Sequence, residues 1–72
     1  HRGSYTVGDE VKITVTNPNA SDEMHLHGYD LSSGEMAINT PTSISFTADQ
    51  AGDFELESHV TDEVVMVLRV TE

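Results

Sequence analysis

Apolar and polar residues alternate with period two along most of the chain. The run Val11-Lys12-Ile13-Thr14-Val15-Thr16 puts branched aliphatics on one face and polar side chains on the other, and Asn17-Pro18-Asn19 ends it with turn chemistry. Residues 42–47 repeat the pattern, with Ile44 and Phe46 sharing a face, between Thr40-Pro41 and the polar segment 48–52. In the next run Phe54 and Leu56 lie opposite Glu55 and Glu57. Residues 64–70 are apolar on both faces until Arg69, which predicts a strand covered on both sides. Shorter strands are predicted at 5–7, 23–27 and 35–39. About seven short strands separated by turn signals predict an all-β sandwich or barrel. No segment holds a 3.6-residue period, so any helix should be confined to a turn at 32–35 or 48–52.

The inward-facing set predicted by this pattern is Val7, Val11, Ile13, Val15, Leu31, Ile38, Ile44, Phe46, Phe54, Leu56, Val64, Met66, Leu68 and Val70. It suffices for a thin core. The chain has 72 residues, a single domain, and a domain of this size buries only about 60% of its unfolded surface.

Charge narrows the function. Three Lys+Arg stand against 13 Asp+Glu, a formal charge of −10, which excludes nucleic acid as a direct partner because phosphate binding needs a cationic face. No apolar run approaches the roughly 18 to 20 residues of a membrane-spanning helix, so no membrane insertion is expected of this chain. Without cysteine there is no disulfide, no thiolate ligand and no thiol nucleophile. The chain begins at His1 and not at methionine, so a processed or excised origin is expected and residues 1–4 read as a remnant or linker.

Candidate chemistry lies in two segments, residues 22–31 and 52–59. His25 and His27 stand two apart on a predicted strand, so both imidazoles leave the same face about 7 Å apart at Cα. His59 closes the run 54–58, and where that end abuts the first segment three imidazoles converge. Such a set suits copper(II) or zinc, and a nearby Met24 or Met66 thioether would favour copper. Parity offers the competing view that Met24 and Leu26 form the apolar face and send His25 and His27 outward as rim residues. Enzyme chemistry is not expected. Asp22-Glu23 and Asp62-Glu63 are adjacent pairs whose side chains point apart on strands, Ser58-His59 is no dyad by adjacency, and no phosphate loop or zinc-protease motif is present.

These blocks, in order, resemble a cupredoxin domain: Val7-Gly8-Asp9-Glu10-Val11 before an alternating strand and Thr16-Asn17, then Asp22-Glu23-Met24-His25, Phe46-Thr47-Ala48, Gly52-Asp53-Phe54-Glu55-Leu56 and the final strand 64–70. The resemblance covers most of the chain. It implies an antiparallel Greek-key sandwich, an extracytoplasmic location (periplasmic, secreted or cell-surface), and His25 as the first copper ligand. It departs from the family at the other ligands: the cysteine position falls on Ser58, the next histidine follows at once as His59, and the axial-methionine position falls nearest Val64. A blue copper site needs the copper–thiolate bond, so blue copper is excluded. A non-blue site of His25 and His59, with His27 as the third candidate, remains. His25-Leu26-His27-Gly28 is also similar to the His-x-His-Gly element of multicopper oxidases, in which both histidines bind copper. The family's usual first strand has only residues 1–4 to supply it, which predicts an open sheet edge for a second copy or the parent protein. His1 reads either as a terminal copper chelate or as a remnant, and the remnant is favoured.

Two functional expectations follow. One is copper handling or redox at a histidine site, with zinc as the alternative metal. The other is a metal-free structural or assembly module completed by a partner strand.

Overall fold

A computed structural model describes all residues, 1–72, and contains strands, turns and no helix. Seven strands, β1 (Arg2–Thr6), β2 (Glu10–Val15), β3 (Met24–Leu26), β4 (Leu31–Ser32), β5 (Thr42–Thr47), β6 (Gly52–Ser58) and β7 (Val64–Thr71), form two sheets. The larger sheet has the order β1-β7-β6-β3-β4 and the smaller is the pair β2-β5. No helix is long and apolar enough to cross a membrane.

The strongest alternating runs become β2 and β5, paired antiparallel with Val11 opposite Phe46 and Ile13 opposite Ile44. Val11, Ile13 and Ile44 are buried from this side, while Leu26, Leu56, Leu68 and Val70 close the core from the larger sheet. The arrangement is thus of the two-sheet sandwich type. Only 12 of 72 residues are buried, so each core side chain carries a large share of the stability.

Several expectations are corrected. Residues 2–4 are not a linker: they belong to β1, which runs parallel to β7 with Gly3 opposite Leu68 and Tyr5 opposite Val70. Backbone pairing forms this strand, since Arg2-Gly3-Ser4 offers almost no apolar pattern, and it displaces the predicted 5–7 strand toward the N-terminus. Val7 falls instead in a turn, closed by Asp9 Oδ2 accepting from Thr6 N at 2.9 Å, and is 40% exposed. Residues 35–39 form no strand. Met36 alone bridges Asp22, and the chain then turns through Asn39 at φ 54°, which leaves Ile38 exposed while Met36 is buried in its place. Val64 is also exposed, and β7 is not covered on both sides: Leu68 and Val70 face the core, whereas Val67 on the other face is half-buried. A register shift at Leu56/Glu57 accompanies this, with Leu56 opposite Met66 but Glu57 opposite Val64.

Between β3 and β4 the chain reverses through residues 27–30, with Gly28 at φ 90° and Asp30 at φ 54°. Tyr29 then packs on Phe46 and Phe54 at ring-centroid distances of 4.8 and 4.6 Å, joining the two sheets. A Cβ on Gly28 would lie 2.5 Å from Phe54 Cδ1, in a backbone region that L side chains resist. Gly28→Ala is therefore expected to lower the unfolding free energy by about 2–4 kcal/mol, read as a fall in the thermal midpoint. An unchanged midpoint would show that the hairpin turn does not lock this aromatic group.

Candidate functional site

Three-residue β3 positions the first candidate histidine. Met24 and Leu26 point into the core, so His25 faces the opposite, outer side of the larger sheet, as the parity argument expected. Register sets Ser32 of β4 and Glu57 of β6 on either side of His25. Glu23 lies beside it: its Oε2 accepts from Ser32 Oγ at 2.6 Å and stands 3.6 Å from His25 Nε2.

His59 begins the turn from β6 to β7, and its backbone N donates to Glu23 O at 2.9 Å. That bond draws the turn toward β3 and brings the His25 and His59 rings to a centroid separation of 5.7 Å, tilted by 59°. His27, past the end of β3, is exposed with Nε2 3.5 Å from Glu57 Oε1, and it shares with His25 a shallow depression of about 220 Å³ over the hairpin. The chain does not gather three or more histidine, aspartate or glutamate side chains into one metal-holding cluster, so the expected convergence of three imidazoles is not found. What forms instead is the pair His25 and His59, with His27 held apart by its own acid.

The methionines also lie elsewhere. Met24 is buried and Met66 is half-buried opposite Leu56 on the core side, so neither thioether reaches the outer face where the histidines stand. Ser58, at the position of the family's cysteine, is likewise buried, and its Oγ donates to Asp22 Oδ2 at 2.6 Å. His1 sits with β1, three strand spacings or roughly 14 Å from β3, and its carbonyl accepts from Val67 N at 2.9 Å.

The residue that organises this corner is Asp22. It is 5% exposed, and its carboxylate accepts four hydrogen bonds: Ser58 Oγ and Asn17 Nδ2 to Oδ2, and Glu23 N and Val60 N to Oδ1, at 2.6 to 3.1 Å. Burial by itself would raise the Asp22 pKa, but the bonds from Ser58, Asn17 and the Glu23 and Val60 backbones outweigh it and hold the group at about 2. Ionised Asp22 thereby ties the start of β3 to the turn that carries His59. The sequence reading includes Asp22 in the block before His25 and in an acidic pair, but gives it no role of its own. The overlooked signal was its parity, since positions 22, 24 and 26 share the inward face and an aspartate there needs internal donors.

No model of a known protein family matches the chain, and no characterised protein matches it with significance.

Proposed function

We propose that this domain is a cupredoxin-like binding module that takes one copper(II) ion at His25 and His59. The observation that carries the reading is the 5.7 Å ring separation between two histidines that lie far apart in sequence. Two imidazoles that share a metal at about 2.0–2.1 Å per nitrogen have ring centroids roughly 5–6 Å apart, so the pair fits a two-nitrogen donor set. Water completes the coordination. Exposure of both rings suits reversible loading and thus copper handling more than a closed redox centre. His27 is the third candidate ligand, reached from the depression it shares with His25, and zinc is the competing metal.

Support for the cupredoxin-like and Greek-key part of the reading comes from chain path. The strands cross between sheets at β1 to β2, β2 to β3, β4 to β5 and β5 to β6, so β3 pairs with β6 and not with its sequence predecessor. An extracytoplasmic setting rests on the family resemblance. When bound, copper would supply a Lewis-acidic, redox-capable centre, while the chain's own part is to orient two imidazoles: Glu23, anchored by Ser32, stands by one, and Asp22 fixes the turn that carries the other.

Added copper(II) should raise the thermal midpoint by an amount that grows with its concentration, because it binds only the folded state. His25→Ala or His59→Ala should remove that rise, and His27→Ala should weaken or spare it. The loaded protein should show only a weak d–d band, there being no cysteine to give an intense thiolate transition. A midpoint that rises equally in wild type and His59→Ala would overturn the assignment.

A further inference from the structure

We propose that the free edge of β2 receives an extended, acidic β-strand from another polypeptide, which pairs with β2 and fills the groove beneath it. The proposal is independent of the histidine pair: His25 stands on the outer face of the larger sheet, whereas the groove opens on that sheet's core-facing side.

The smaller sheet has two strands and faces a sheet of five. β2 pairs with β5 along one edge only, so alternate residues of β2 turn their N–H and C=O groups outward with no strand to receive them. A groove of about 630 Å³ opens along that edge. Its wall includes every residue from Lys12 to Pro18, core-facing and solvent-facing alike. Neighbours of both parities line one groove only when the edge of a strand, and not its face, borders it. The floor is the uncovered core side of the larger sheet, where Tyr5, Val65 and Met66 remain half-buried. An added strand would meet both demands at once, giving hydrogen bonds to β2 and alternate side chains to the floor, as in recognition by β-augmentation.

Charge selects the kind of strand. The chain has three Lys+Arg, and Arg69 is held by Asp53 through Nε–Oδ1 at 3.0 Å and Nη2–Oδ2 at 3.3 Å. The other two, Arg2 and Lys12, form no salt bridge, and both line this groove. The one lining carboxylate, Asp22, is buried and already has its four donors. Lys12 stands on β2 itself and Arg2 on β1, the edge strand of the larger sheet that also borders the groove, so a molecule of net charge −10 keeps the two cations that form no salt bridge along this one groove. A lysine on an edge strand can also serve as a guard against self-pairing, but a guard requires no cavity below it. A second copy is disfavoured as occupant, since it would bring another ten negative charges to the contact.

The test uses the full chain with chelator present, so that failure of the copper reading leaves it unaffected. The probe is a nine-residue peptide, capped at both ends, in which valine alternates with glutamate or threonine. Titration followed by amide NMR should give saturable binding, with the largest shifts and slowed exchange at residues 12–15. Lysine in place of the peptide's glutamates should weaken binding about tenfold, and N-methylation of alternate peptide nitrogens should abolish it. In the doubly reversed chain, Arg2→Glu with Lys12→Glu, the preference should invert toward the lysine peptide, an inversion that a misfolded variant would not produce. No saturable binding of any of these peptides, equal binding of the acidic and basic ones, or protection of the same amides by concentration-dependent self-association would each overturn the proposal.

Discussion

Asp22→Ala is expected to lose roughly 3–5 kcal/mol of unfolding free energy, enough to leave a domain of this size largely unfolded near room temperature. The carboxylate accepts from two side chains and two backbone amides, so its removal leaves the Ser58 hydroxyl and the Val60 and Glu23 amides without their partner in a buried corner. Asp22→Asn keeps the shape but loses the charge and should cost less. The same group sets an acid transition. Its folded pKa is depressed from 3.8 to about 2, so the stability it contributes is present above the unfolded value and is lost as pH falls through the window between them. With allowance for nearby solvent, that contribution is about 1–2 kcal/mol. Urea unfolding of wild type and Asp22→Asn at neutral pH and near pH 2 should show the difference between the two proteins shrink on acidification. A pH-independent difference would mean that ionised Asp22 is not the hub.

Leu26→Ala should be comparably damaging. The side chain is 1% exposed and lies opposite Leu31 on one side and Leu56 on the other. Truncation of a leucine so placed costs about 2.7–5 kcal/mol. Its neighbour His25 faces outward on the same strand, so His25→Ala should change metal-free stability by no more than about 0.5 kcal/mol. Equilibrium unfolding of both variants checks this contrast, and similar losses for the two would contradict the outward placement of His25.

How far the chain could be read in advance depended on where period two had a physical cause. β2, β5 and β6 sit with one face on the core and one toward water, so alternation announced them to within a residue or two at each end. Only the end of β1 shows in the pattern, within the strand predicted at 5–7; its polar, glycine-containing start is held by parallel backbone pairing to β7, an interaction that leaves little trace in side-chain pattern. Met36 and Ile38 share parity, and nothing local says that the turn at Asn39 would bury the first and expose the second. The nearness of His25 and His59 was legible only through order and resemblance. It depends on the β3–β6 register that sets Met24 opposite Ser58, which no local signal encodes. Asp22 was legible in principle, as the one carboxylate on an inward-facing parity.

Copper binding by the histidine pair is tested most directly by calorimetric titration of copper(II) into the chain with His1 removed, so that a terminal chelate cannot imitate the internal site. At neutral pH one ion per chain should bind, binding should weaken on acidification because a protonated imidazole cannot ligate, and His25→Ala and His59→Ala should each abolish it. Heat no greater than that of an isolated exposed histidine pair, or a titration unchanged by His59→Ala, would contradict the assignment.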